Sequence, residues 1–391
     1  MNAPVELTLA APEPFAHLCD AIEKTRLPPA QASQLPGELY CSKQVAQLEK
    51  DRIFLHTWLC IGREEQIPNP GDYFTQSIAG EPFIVSRDDN GNVSAFLNMC
   101  LHRGVPVASG HGNARGFRCP YHAWNYDIKG NLRAAPYMGK STMTSTEGYR
   151  LKPIQLQLWR GWIFISFNDN PLGFTEFIEP YERELWWFRT EQCRSAEKVV
   201  LEVNCNWKLL VENLIDIYHV PVIHKTSFGS FLKTDRNAIE FELLPRGGWI
   251  YEQEARPHSK DGEPLFPILP WLEGMSSSTS IKAGIFPNLN LSLRADSLRM
   301  WQVWPVAVDK TEIHLYSLFP YAVFERPDFQ TRYEEYKDFI VHAITDEDGP
   351  MVVELQKAVN SRFYKPGQMS HLEGAVHHLM NYYLDAMGAP A

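Results

Sequence analysis

Four residues in the first third of the chain have the types and spacing to hold metal: Cys100 and His102 in Cys-Leu-His-Arg-Gly, and Cys119 and His122 in Cys-Pro-Tyr-His-Ala-Trp. On an extended strand side chains two apart face the same side, so Cys100 and His102 can reach one object together. Cys119 and His122 make the same mixed pair from a turn. Tetrahedral zinc accepts two thiolates and two imidazoles, but zinc modules usually pair like ligands with like. A Rieske [2Fe–2S] centre needs two thiolates on one iron and two imidazoles on the other, which two mixed pairs on facing loops supply without crossing the chain. The mixed pairs favour the cluster.

A second group follows. The run from Asn206 to His219 reads as a helix ended by Pro221, with Trp207, Leu210, Val211, Leu214 and Tyr218 on one face and Lys208, Glu212, Asp216 and His219 on the other. Alone, that pattern describes a core face and a solvated face. His224, just past the break, changes the reading. Two histidines five apart, joined by a carboxylate from elsewhere, make the facial triad that holds Fe(II) and leaves positions open for dioxygen. Asp346, Glu347 and Asp348 are the candidate carboxylates, although acids ahead of Pro350 also suit the N-terminal end of a helix dipole. Asp216, three residues before His219, can accept its outer ring N–H and set its tautomer.

Cys-x-His-Arg-Gly followed by Cys-x-Tyr-His-x-Trp resembles the Rieske domain of the ring-hydroxylating non-haem iron oxygenases. Glu-Asn-x-x-Asp-x-Tyr-His-x-x-x-x-His is similar to the mononuclear iron motif of the same family, so the resemblance spans roughly residues 45 to 380. It implies that His219 and His224 bind the catalytic iron. It also implies that Asp348, eight residues before Gln356, is the third ligand, with Asp346 and Glu347 left to the helix dipole. In that family the aspartate matching Asp216 also touches a Rieske histidine, here His122 of the partner subunit. A head-to-tail homotrimer follows, with a small β subunit left open.

The resemblance implies a large-subunit terminal oxygenase that takes electrons from NAD(P)H through a separate reductase, with or without a ferredoxin. No glycine-rich nucleotide fingerprint lies in the chain itself. The expected reaction is cis-dihydroxylation or monohydroxylation of a small aromatic substrate with O2. The alternative is N- or O-demethylation of a quaternary amine or methoxyaromatic, for which Trp301, Trp304 and Tyr251 could cage an ammonium. A third reading, from another class, is a non-catalytic Rieske electron relay. The runs from Phe286 to Asn290 and from Met300 to Trp304 are candidate pocket strands.

Elements must position these groups, and the pattern implies an α+β fold. Residues 1–44 read as an N-terminal lead-in packing on the catalytic domain. Residues 45–170 read as an all-β Rieske domain with hairpin signals at Asp88–Gly91 and Asp127–Gly130. Residues 171–391 read as a helix-grip-like mononuclear iron domain with an antiparallel sheet and C-terminal helices. Its strand-like runs are 198–204, 238–244, 281–293, 300–306 and 312–320. Phe329, Tyr333, Tyr336, Ile340 and Ala343 repeat at helical spacing as a core stripe.

Composition bounds the rest. The 391 residues carry 37 basic and 47 acidic side chains, a net charge of −10, which argues against nucleic acid and anionic membrane partners. Seven scattered cysteines and a start without a signal pattern read as a reduced, cytoplasmic protein.

Overall fold

The computed structural model describes residues 15–138, 145–225, 227 and 240–390. In the first half the strands are β1 (Leu59–Arg63), β2 (Asp72–Ile78), β3 (Glu81–Arg87), β4 (Val93–Leu97), β5 (His111–Asn113), β6 (Gly116–Arg118), β7 (Asn125–Asp127), β8 (Leu132–Ala134), β9 (Pro153–Trp159) and β10 (Trp162–Ser166). They form an antiparallel sheet in the order β1-β10-β9-β4-β3-β2-β5 and a small β6-β7-β8 sheet. Both expected turns are present. At the second, the Asp127 carboxylate accepts from the backbone N–H groups of Lys129 and Asn131, each at 2.9 Å, and Gly130 takes the left-handed φ of 81° that closes the loop.

The second half contains β11 (Cys193–Val203), β12 (Glu242–Leu244), β13 (Gly248–Glu254), β14 (Thr279–Ile285), β15 (Leu289–Arg294), β16 (Leu298–Ala307) and β17 (Lys310–Pro320). They form one antiparallel sheet in the order β11-β17-β16-β15-β14-β13-β12. The run 281–293, expected as a single strand, is a hairpin: Phe286, Pro287 and Asn288 turn the chain between β14 and β15. Proline without an N–H cannot continue a central ladder, which is the signal that breaks the run. Positions 238 and 239 lie outside the described residues.

The sheet separates two cores. Ile250, Ala283, Leu291, Met300 and Tyr316 face the helix Phe174–Leu185 and the Rieske-side residues Trp162 and Phe164. Tyr251, Trp301 and Leu315 face the helices Trp207–Ile215, Phe329–His342 and Gly374–Ala386. The expected stripe from Phe329 to Ala343 is buried throughout. Each such large apolar side chain contributes about 1.5–3 kcal/mol by leaving water. The N-terminal helix Cys19–Arg26 lies against the last helix, with Arg26 paired to Asp385 at 2.8 Å.

The helix that carries the second motif is shorter than its periodicity predicts. Asn206 caps it by accepting from the N–H of Lys208 at 3.1 Å, and it stops at Ile215. Asp216 is extended (ψ 118°) and its carboxylate accepts from the N–H of Tyr218 at 2.6 Å. That local side-chain bond competes with helix propagation and reverses the chain before the short helix Val220–Ile223. The expected solvated stripe is also largely internal. Lys208 is buried in an ion pair with Glu49 of the helix Lys43–Glu49, and Glu212 accepts from the Tyr40 hydroxyl at 2.9 Å. Glu49 accepts further bonds from Trp207 and Tyr383 at 2.9 and 2.7 Å. One buried carboxylate thus ties together the elements that aim the motif.

Candidate active site

Cys100 and His102 lie on the loop after β4, and Cys119 and His122 on the loop between β6 and β7. Each loop is closed by its own backbone bonds, Gly104 N–H to Cys100 C=O at 2.7 Å and Ala123 N–H to Cys119 C=O at 3.0 Å. Gly104 and Ala123 both take positive φ, 75° and 60°. The two thiols are buried and the two imidazoles face solvent, with Nδ1 of His102 3.1 Å from Nδ1 of His122. Trp124 stacks on the His102 ring at 5.3 Å. The buried Tyr126 hydroxyl accepts from the N–H of Leu101 at 3.0 Å and lies 3.2 Å from Cys100 Sγ. Its spacing gave no hint of this contact.

These four ligand groups do not converge on a point. Among the described residues, the one group of three or more with all its metal-binding atoms within 4.8 Å of one another is His219, His224 and Asp348. Four ligands of one tetrahedral zinc would all meet within about that distance. Two thiols inside and two imidazoles outside instead match the two ends of a [2Fe–2S] cluster.

At the other site, Nε2 of His219 and Nε2 of His224 are 3.3 Å apart, and Asp348 Oδ1 lies 3.4 and 3.1 Å from them. Their outer nitrogens are both held. His219 Nδ1–H donates to Asp216 at 3.0 Å, and His224 Nδ1–H donates to Glu347 at 2.7 Å. These bonds turn both Nε2 lone pairs toward Asp348, which is how second-layer carboxylates orient imidazole ligands. Burial opposes charge on His219, yet the hydrogen bonds it donates to Asp216 and Asp348 raise its pKa to about 9. Burial likewise opposes ionisation of Asp348, and the two histidines hold its pKa below the usual value. A divalent cation between the three atoms would be held by the same electrostatic attraction that favours the charged forms of these groups. Two imidazoles and a carboxylate, converging on one side, could hold Fe(II).

Asp348 ends a π-helical turn, Ala343–Asp348, set between the helices Phe329–His342 and Gly349–Val359. Such insertions re-aim side chains at functional sites. The sequence assigned Glu347 to a helix dipole, and the structure corrects this: its carboxylate is engaged with His224 and with the Ser227 hydroxyl at 2.6 Å. Two histidine ligands need two orienting acceptors, and only Asp216 had been matched to one. Asp346, by contrast, pairs with His342 on the surface at 2.7 Å. Asn213, from the same motif, donates to Asp348 at 3.4 Å.

The triad opens on a cavity of about 90 Å³ lined also by Tyr251, His258, Lys282, Arg299 and Trp301. The expected aromatic cage is not assembled there. Trp304 lies at a different cavity beside Ile78 and His314, and the Trp301 ring carries the Arg299 guanidinium at 5.0 Å and Lys282 Nζ at 5.7 Å. Lys282 and Arg299 escaped sequence reasoning, although a charge on a strand buried on both faces was the available signal.

A sheet domain with a two-thiol, two-imidazole site joined to a sheet-and-helix domain with an open two-histidine, one-carboxylate site defines a Rieske non-haem iron oxygenase. Residues 57–153 match the Rieske [2Fe-2S] domain and residues 190–389 match the ring hydroxylating alpha subunit (catalytic domain). The chain belongs to the ring-hydroxylating alpha subunit family. It is 28% identical over 386 residues to the glycine betaine monooxygenase oxygenase subunit of Pseudomonas aeruginosa (strain UCBPP-PA14), covering 90% of this chain and 89% of that one. It is 34% identical over 199 residues to the benzene 1,2-dioxygenase subunit alpha of Pseudomonas putida, covering 48% and 44%. Among solved structures, the quaternary ammonium Rieske monooxygenase CntA in complex with an inhibitor shares the fold, with a TM-score of 0.79, 21% identity and coverage of 94% and 98%. The family's cofactors are a Rieske [2Fe–2S] cluster and a mononuclear iron. Among the described residues, no helix is long and apolar enough to cross a membrane.

Proposed function

We propose that this chain is the terminal oxygenase that monooxygenates a quaternary ammonium compound at a carbon attached to nitrogen. The observation that carries this reading is the extent of similarity. The glycine betaine monooxygenase subunit aligns with 90% of the chain, whereas the benzene dioxygenase subunit aligns with 48%. Cys100, His102, Cys119 and His122 hold the cluster, and His219, His224 and Asp348 hold the catalytic iron. The iron, when bound, supplies dioxygen activation. One oxygen atom enters the substrate carbon and the other leaves as water, with two electrons from NAD(P)H arriving through a separate reductase. The hydroxylated carbon then parts from nitrogen as an aldehyde, leaving a tertiary amine.

The protein's own groups do the positioning. Asp216 keeps the Nδ1 proton of His219 in place and lies at the protein surface edge of the site, with its side chain 19% exposed. From there it can meet His122 of the partner subunit in a head-to-tail homotrimer and join the two centres. Tyr251 and Trp301 wall the cavity. Oxygen uptake with reductase is measured against paired trimethylammonium compounds and aromatic acids. Aldehyde release from the ammonium series supports the reading. Catechol or cis-diol formation from the aromatic series, with the ammonium compounds inert, overturns it in favour of aromatic hydroxylation.

A further inference from the structure

The register of the catalytic sheet sets Tyr251, Lys282, Ser292, Arg299 and Ser317 in one transverse row from β13 to β17. Lys282 and Arg299 from this row line the cavity into which the triad opens. Lys282 Nζ donates to Ser292 Oγ at 2.7 Å, and Arg299 Nη2 donates to the same oxygen at 3.2 Å. A hydroxyl oxygen that accepts twice must direct its own proton to a third partner. Arg299 Nε is buried without an acceptor. Among the described residues, no carboxylate lies within 4.0 Å of either cation; the nearby Asp296 is taken by Arg294 at 3.1 Å. Burial and the neighbouring arginines push the pKa of Lys282 well down, and burial lowers that of Arg299. The row therefore holds two cationic side chains that share one neutral hydroxyl as acceptor and have no anion of their own, in a place where an uncompensated charge is costly.

We propose that Lys282, Ser292 and Arg299 form a clamp for a carboxylate on the substrate, so that the substrate is a betaine-like zwitterion held acid end first. This rests on the reading of the enzyme as a quaternary ammonium oxygenase. The polarity of the cavity agrees with it. The sheet end is cationic and draws the acid away from the triad, which leaves the ammonium head at the end where the Asp216 carboxylate lines the cavity. Trp301, whose ring stacks under both cations, fixes the separation of the two ends.

The test uses the metal-loaded enzyme and two matched pairs of probes: glycine betaine against choline, and benzoate against benzyl alcohol. Binding is followed by calorimetry. Each carboxylate is expected to bind at least tenfold tighter than its alcohol partner, and Arg299→Met and Lys282→Met are expected to erase that difference. Both variants are also expected to raise the Tm of the ligand-free protein, because each replaces an unpaired buried cation with an apolar chain. A purely structural role predicts the opposite, a lowered Tm with the preference intact. If choline binds as tightly as glycine betaine and is oxidised, the clamp is refuted and the quaternary ammonium function stands. If both carboxylates bind but only benzoate is oxygenated, the clamp stands and the quaternary ammonium function falls.

Discussion

The Nδ1–H of His224 donates to the Glu347 carboxylate at 2.7 Å, a bond that mirrors the one from His219 to Asp216 at 3.0 Å. Each histidine of the triad therefore has its own carboxylate behind it, one from the turn after the motif helix and one from the π-helical turn that also carries Asp348. The symmetry has separable consequences, because the Glu347 side chain is 7% exposed whereas that of Asp216, at the edge, is 19% exposed.

Glu347→Gln retains an acceptor but weakens it, and Glu347→Ala removes it. Second-layer partners of this kind change metal affinity about 10–100-fold. The alanine variant should bind Fe(II) at the lower end of that affinity range and the glutamine variant between it and wild type. Iron titration of metal-stripped protein measures both. Equal affinity in all three would show that Glu347 does not orient His224.

Asp216→Asn should keep both metal centres and lose nearly all product formation, because the carboxylate links the centres rather than building either. Metal analysis beside single-turnover product yield separates the two roles. Wild-type turnover in this variant would remove Asp216 from the electron path.

Tyr126→Phe deletes the hydroxyl 3.2 Å from Cys100 Sγ. Hydrogen bonds to cluster sulfurs raise the reduction potential, so the variant should titrate lower by roughly tens of mV with its cluster intact. An unchanged potential would mean that the hydroxyl serves the Leu101 backbone alone.

Glu212 offers a pH-dependent signature. Burial raises its carboxyl to about 8, against the opposing Tyr40 hydrogen bond and Lys208 charge. Its folded value thus lies above its ordinary 4.5, so the native state binds the extra proton between these limits. Stability attributable to this group is full below about pH 4.5 and is lost as pH rises through 8. Glu212→Gln cannot ionise, and its Tm should match wild type at pH 5 and exceed it by a few degrees at pH 9. A Tm difference of the same size at both pH values would contradict the assignment.

Legibility differed by the kind of signal. Cys100, His102, Cys119 and His122 were readable because close spacing along one loop already restricts where the side chains meet. The hairpins at Asp88 and Asp127 were readable from turn chemistry. Asp348 needed the family resemblance, since three adjacent acids share one local pattern and only the π-helical turn decides which one faces the histidines. Glu347 was missed for the same reason. The end of the motif helix at Ile215 was hidden because Asp216 is a tolerable helix residue until its carboxylate captures the N–H of Tyr218. Lys282 and Arg299 meet only through strand register across β14, β15 and β16, a relation that no single segment displays. The aromatic cage failed on the same ground: Trp301 and Trp304 lie three apart, and strand alternation sends them to different cavities.

The assignment of two separate centres to seven named residues is tested most directly by iron and acid-labile sulfide analysis of the purified protein beside His224→Ala and His122→Ala. The account predicts three irons and two sulfides per chain in the wild type, loss of a single iron with both sulfides retained in the first variant, and loss of cluster iron and sulfide together in the second. Loss of sulfide from the His224 variant, or a full complement of iron in both variants, would contradict it.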